Sequence, residues 1–178
     1  MLAKDPKLVD AALVLASLLQ RQGDKTEVDK VISDAVNADP SNVSARLAQI
    51  GLLQQTGRTK EALEAAQKAI AAVPDDPRLL RVLGLSLNVN GDYSQAASTF
   101  GKLSGFEPRN TDVLLLQASS YASGKDFGSA RSVLGKAIEM QPDNVLMHVS
   151  LVDLGITEKR FDTALNDARA IQKKWPKS

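Results

Sequence analysis

The chain of 178 residues contains no cysteine. That excludes disulfides, thiolate metal sites and a cysteine nucleophile together, and leaves the redox compartment open. It has one histidine and one tryptophan, and aromatics make up only 4% of it. A core must therefore be built from Ala, Leu, Val and Ile, which suits closely packed helices better than a β-sandwich rich in Tyr, Phe and Thr. Charge of one sign is lacking too. Lys plus Arg (22) nearly equals Asp plus Glu (21), so the net charge of +1 gives no global field to draw nucleic acid or an anionic membrane. The longest apolar run, Ala11 to Leu19, is interrupted by Ser17 and is too short to span a bilayer. Met1-Leu2-Ala3-Lys4-Asp5 is followed by no apolar stretch or cleavage site of the kind a signal peptide has.

What is present is periodic. Prolines stand at Pro6, Pro40, Pro74, Pro108, Pro142 and Pro176, each 34 residues from the next, and only Pro77 falls out of step. A fixed period of this length marks a helical repeat array. Placing each proline at position 32 yields five repeats: Val9–Asn42, Val43–Asp76, Pro77–Asn110, Thr111–Asn144 and Val145–Ser178. The leftover segment Met1–Leu8 matches the tail of a preceding repeat, so the chain reads as a piece of a longer array.

The same positions recur in each repeat. Position 8 is Ala16, Ile50, Gly84, Ala118 and Val152; position 20 is Val28, Ala62, Ala96, Ala130 and Ala164; position 27 is Ala35, Ala69, Leu103, Ala137 and Ile171. Residues at these places that are mostly small let two helices approach closely. Larger ones are expected to fill the gaps: Ile32, Phe100 and Leu134 at position 24, and Tyr93, Phe127 and Phe161 at position 17. This pattern resembles the tetratricopeptide repeat over Val9–Ser178. The resemblance implies an all-α, right-handed superhelical solenoid of five helix–turn–helix repeats plus the tail of a preceding one. The family's aromatic at position 4 is missing (Ala12, Arg46, Leu80, Leu114, His148), and its Tyr at position 11 survives only as Tyr121.

The turn chemistry agrees. Gly23, Gly57 and Gly91 supply a left-handed residue after the first helix of repeats one to three, and the fourth repeat shifts its glycine to Gly124. Asp24 and Glu27 are spaced as a capping box. Asn42, Asp76, Asn110 and Asn144 stand as caps before the next helix, with Pro77 at a first helical position behind Asp76. The fifth repeat is irregular. Glu158-Lys159-Arg160 replaces the turn glycine, and Gly155 lies inside a helix at a cost of roughly 1 kcal/mol against Ala. That cost makes this repeat the least stable, and its second helix is expected to expose an apolar face to solvent or to a second copy, a route to self-association.

No catalytic constellation, metal set or cofactor motif is legible, and the chain reads as a non-enzyme with no cofactor. His148 occupies a packing position, and Ser150 and Asp153 do not converge with it on one helix face. Gly135-Lys136 lacks the leading glycine of a phosphate loop, since Ala130 stands there. The pair Lys173-Lys174 beside Trp175 reads as charge offsetting a helix C-terminus, with Trp175 packed on its neighbour. A pentatricopeptide RNA reader is disfavoured by the unbroken 34-residue spacing and the neutral charge.

In the tetratricopeptide family the concave wall comes from positions 2, 5, 9 and 12 of each first helix. The resemblance thus nominates a protein- or peptide-binding groove of Asp10, Leu13, Ser17, Gln20, Leu47, Gln54, Arg78, Arg81, Leu85, Asn88, Asp112, Leu115 and Ser119. The same positions take in Ser44, Gly51 and Ala122, and Leu146, Val149, Asp153 and Ile156 in the fifth repeat. The clamp by which some family members hold a chaperone's C-terminal carboxylate is absent, because Leu13, Ser17, Ala48 and Val82 occupy its sites. Arg78 and Arg81 are the candidates for an acidic or phosphorylated segment, or else pair with Asp112 or are merely solvated. The function expected is a non-catalytic scaffold for peptide segments or partner proteins. An accessory region of a larger enzyme is the alternative, and a nucleic-acid-binding helical repeat is a more distant one. Gly91–Ala96 and Ala168–Ser178 resemble the large tetratricopeptide lipoproteins of bacterial PEP-CTERM/exosortase systems. That resemblance implies an exported, envelope-anchored protein of sorting and exopolysaccharide loci, of which this is an internal piece.

Overall fold

A computed structural model describes residues 6–176. Met1–Asp5, in the segment read as the tail of a preceding repeat, and Lys177 and Ser178 at the other end lie outside them. Among the described residues there are ten α-helices and no strand. They fall into two compact bodies that divide between Asn90 and Gly91. The first holds α1 (Pro6–Gln22), α2 (Lys25–Ala38), α3 (Val43–Gln55), α4 (Thr59–Ala72) and α5 (Pro77–Val89). The second holds α6 (Tyr93–Phe106), α7 (Thr111–Ser123), α8 (Phe127–Met140), α9 (Val145–Thr157) and α10 (Phe161–Lys174). Within each body every helix packs on the next in sequence. First helices of adjacent repeats also touch there: α1 with α3, α3 with α5, and α7 with α9.

The helices start where a side chain can satisfy the free N–H groups. The Asn42 side chain accepts from the Ala45 amide at 3.0 Å, Asn110 from Asp112 at 3.1 Å and Asn144 from Leu146 at 3.1 Å. Asp76 accepts from the Arg78 and Leu79 amides at 2.9 and 3.3 Å, with Pro77 at the first helical position. Of the capping box at α2, the half in which Asp24 accepts from the Glu27 amide forms, at 3.1 Å. The Asp24 amide instead donates to the Leu19 carbonyl, closing the preceding turn. Helix α1 starts at Pro6, so Pro6, Lys7 and Leu8 are helical where the matching residues of later repeats form the turn. Leu8 stands where those repeats carry Asn or Asp, and it cannot cap a helix at Val9.

Small residues meet where the helices cross. All five position-20 residues are buried: Val28, Ala62, Ala96, Ala130 and Ala164. At position 27 Ala35, Ala69, Leu103 and Ala137 are buried, and Ile171 is half-buried. Phe100 is fully enclosed, a burial worth roughly 3 kcal/mol at most against leaving it in water. In the first body Ile50, Leu53, Ala62, Ala66, Ala69 and Leu79 form one cluster. In the second, Ala118, Ala130, Val133, Leu134 and Leu154 form another, with Tyr121 and Phe127 packed on it.

The structure corrects three local expectations. Gly124 does not take over the left-handed position of the fourth repeat. Its φ is −78°, and Lys125 adopts φ +64° instead. Lys159 does the same in the fifth repeat at +62°, while Gly23, Gly57 and Gly91 hold the equivalent place at +84°, +74° and +86°. Gly124 is small for a different reason, since a Cβ there would lie 3.2 Å from Tyr93 Cβ. Gly155 is likewise more than a helix defect: a Cβ would stand 3.2 Å from Ala164 Cβ, so it lets α9 and α10 close up. Phe161 is no gap filler. It is 62% exposed and Leu165, one turn on, is 50% exposed, because position 17 faces the first helix of a following repeat and α10 has none against it among the described residues.

Candidate functional site

In the first body several of the nominated groove residues are engaged with side chains outside the nominated set, with their own helix or with the core. The Gln20 amide donates to Gln55 Oε1 at 2.6 Å, and the Gln54 amide donates to Ser86 Oγ at 3.2 Å. These bonds tie α1 to α3 and α3 to α5. Ser17 donates to the Val14 carbonyl of its own helix at 2.7 Å. Leu13 and Leu47 are half-buried against core clusters, while Asp10 and Leu85 are exposed. Arg81 and Asn88 are half-buried.

Arg78 is paired at the start of its own helix. Its Nη2 lies 2.8 Å from Asp76 Oδ2 and its Nε 3.2 Å from Oδ1, a bidentate pair with the carboxylate that caps its own helix. That pairing comes first among the causes holding the Asp76 carboxyl below the usual aspartate value. The fork proposed for an acidic segment is thereby already occupied at Arg78.

The second body is different. Between α7 and α9 lies a cavity of about 560 Å3. From α7 it is lined by Asp112, Leu115, Leu116, Ala118, Ser119 and Ala122, and from α9 by Ser150, Asp153, Leu154 and Thr157, with Leu134 of α8 as floor. Of the nominated residues it gathers Asp112, Leu115 and Ser119, together with Ala122 and Asp153 of the same wall. Leu116, Ala118, Leu134, Ser150, Leu154 and Thr157, outside the nominated positions, complete it.

Position 12 differs here from the first two repeats. Gln20 and Gln54 occupy it in the first two repeats and reach across to the next first helix. Ala122 is too short to do so, and the gap between α7 and α9 stays unfilled. The walls are leucines and the rim is polar, the usual make-up of a site that seats an apolar group and orients it by a few polar contacts.

Around His148 the contacts are structural. Its Nε2 lies 2.9 Å from the Pro142 carbonyl and its ring 5.0 Å from that of Trp175. Lys174 Nζ is 3.2 Å from Asp143 and sits 4.3 Å from the Trp175 ring centroid. These contacts fasten the end of α10 to the start of α9. Among the described residues no group of His, Asp and Glu is arranged to hold a metal, and no helix is long and apolar enough to cross a membrane.

The tetratricopeptide repeat family model matches residues 13–77, 47–104 and 115–178, most of the chain. The chain belongs to the tetratricopeptide repeat (TPR) family. Solved TPR-like structures share its fold at low sequence identity. A MamA fragment from Desulfovibrio magneticus RS-1 is 13% identical with a TM-score of 0.77, covering 93% of each chain. YrrB, a TPR protein with an unusual peptide-binding site, is 16% identical with a TM-score of 0.73, over 93% of this chain and 86% of that one. The pilF protein of Pseudomonas aeruginosa is 20% identical with a TM-score of 0.67, over 93% and 75%. No curated protein matches the sequence. The fold is a TPR-like helical solenoid, consistent with a protein–protein interaction scaffold, and TPR proteins are generally non-catalytic.

Proposed function

We propose that this TPR chain is a non-catalytic scaffold that binds an extended segment of a partner protein along its first helices, seating one apolar side chain in the α7–α9 cavity. The observation that carries this is the leucine-walled space of about 560 Å3 that Ala122 lines without bridging, in a fold consistent with an interaction scaffold. YrrB, which shares the fold, has a peptide-binding site of its own. The direct test is calorimetric titration with ten-residue peptides against the wild type and Ala122→Gln, which would rebuild the bridge that Gln20 and Gln54 make. Saturable binding lost in Ala122→Gln supports the site. Binding that this substitution leaves untouched refutes it.

Two finer readings belong to the same proposal. Self-association would run through α10, where Phe161 and Leu165 present an exposed apolar pair. Sedimentation that shows a concentration-independent monomer would remove that reading. The resemblance of Gly91–Ala96 and Ala168–Ser178 to PEP-CTERM/exosortase lipoproteins supports a role in bacterial envelope protein sorting and exopolysaccharide export. Neighbouring genes that encode neither an exosortase nor polysaccharide enzymes would count against it.

A further inference from the structure

We infer that the α7–α9 cavity selects a peptide segment in which an apolar side chain is flanked by lysine or arginine, and discriminates against acidic segments. This rests on the scaffold reading above and concerns the chemistry of the partner.

The charge in the cavity lining is of one sign. Asp112 and Asp153 are the only charged side chains in the lining, and both are exposed. Neither carboxylate meets a cation of the second body, in contrast to Asp76, whose carboxylate is taken up by Arg78 within the first. Asp29 is matched by Arg58 at 3.0 Å, and Glu158 is paired with Arg131.

The hydroxyls add to this polarity. Ser150 Oγ donates to the Leu146 carbonyl at 2.9 Å, and Thr157 Oγ1 donates to the Asp153 carbonyl at 2.8 Å. Their protons are spent on their own helix, so they turn lone pairs outward; only Ser119 retains a proton to give. A rim of two carboxylates and two accepting hydroxyls is complementary to donors that accept nothing, which describes ammonium and guanidinium groups.

With a net charge of +1 the chain as a whole creates no field to oppose this, and apolar cleft walls concentrate the local one. The leucine walls ask for an apolar side chain in the space itself. A segment carrying Asp or Glu beside that side chain would set like charges together, which works against binding.

The test uses the whole chain and an array of N-acetylated, C-amidated ten-residue peptides, each position scanned in turn. Enrichment of Lys or Arg next to Leu, Met or Phe is expected, with Asp and Glu depleted. The strongest peptide and its counterparts with norleucine or Glu in place of the basic residues are then titrated at low and high salt. The proteins compared are the wild type, Ala122→Gln, and the double variant Asp112→Asn with Asp153→Asn. At these exposed positions the Asn changes leave the fold intact, checked by circular dichroism.

The double variant should weaken the basic peptide about three- to ten-fold and flatten its salt dependence, leaving the norleucine peptide unchanged. Ala122→Gln should weaken both. If the neutral or acidic peptide binds as well as the basic one, and responds to Ala122→Gln but not to the Asn pair, the charge inference is overturned and the groove reading stands. If no peptide binds, or none responds to Ala122→Gln, both are overturned together.

Discussion

Replacing Gly155 by alanine sets two known effects against each other, and the structure says which wins. Alanine is favoured over glycine in a helix interior by about 1 kcal/mol. At Gly135 of α8, where a Cβ would meet nothing within 4 Å, that gain should appear in full. At Gly155 the new Cβ would lie 3.2 Å from Ala164 Cβ and 3.7 Å from its Cα. Ala164 has no rotamer through which to yield, since its Cβ is fixed to the backbone of α10. The two helices must part by a few tenths of an ångström along a contact that is otherwise closed. Overpacking of this kind costs roughly 1–3 kcal/mol. Set against the propensity gain, Gly155→Ala should be destabilising by about 1 kcal/mol while Gly135→Ala stabilises by about as much. For a chain of this size each kcal/mol moves the melting temperature by about 2–4 °C. The variants should therefore melt on opposite sides of the wild type in a circular dichroism scan. Because repeats contact mainly their neighbours, hydrogen exchange in Gly155→Ala should quicken first in α10. A Gly155→Ala protein that melts as high as Gly135→Ala would refute the close-approach argument.

Three further outcomes are expected. Lys125→Gly and Lys159→Gly should each raise the urea midpoint, by about 1 kcal/mol of stability, because φ values of +64° and +62° cost a side chain what glycine does not pay. Arg131→Ala should cost up to about 1 kcal/mol, less in high salt, by leaving Glu158 at the turn after α9 with Arg160 alone; a double-mutant cycle with Glu158→Ala reads the coupling. Melting temperature should fall in acid. The Asp76 and Asp126 carboxyls are held below the ordinary aspartate value by hydrogen bonds from Arg78 and from Ser129, so their contribution is complete above that value and lost as pH drops through the lowered ones. Asp76→Asn keeps the cap and should make the acid limb shallower.

Much of the fold was legible because it rests on residues whose roles repeat. The proline ladder and the residues at positions 8, 20 and 27 announce helix pairs, and the Asn and Asp caps mark where each pair begins. The misreadings came where one residue type serves two purposes. Gly124 sits one place before a left-handed turn position and reads as its displaced glycine, yet it makes room for Tyr93 while Lys125 takes the turn. Gly155 reads as a weakness by propensity alone and proves to be a contact between α9 and α10. Helix propensity and turn chemistry are local quantities, and both glycines answer to a neighbour distant in sequence. Phe161 fails for the related reason that its burial depends on whether a following helix lies against it.

The lining of the candidate site was legible only by halves, and the reason is geometric. Taking positions 2, 5, 9 and 12 from every repeat treats the binding wall as a property of single helices. The α7–α9 cavity is a property of a pair. It uses Asp112, Leu115, Ser119 and Ala122 from that face of α7, but from α9 it uses Ser150, Asp153, Leu154 and Thr157, a face rotated toward the earlier repeat. What distinguishes it is not a residue type that advertises binding but the loss of one that bridges neighbouring first helices elsewhere. Gln20 and Gln54 spend their amides bridging to Gln55 and Ser86, so a glutamine at position 12 reads as polar surface while acting as a tie between repeats. Ala122 reads as bland and marks the opening. In an array of near-equivalent units, the place to look for a ligand is therefore where a recurrent inter-repeat bond is missing.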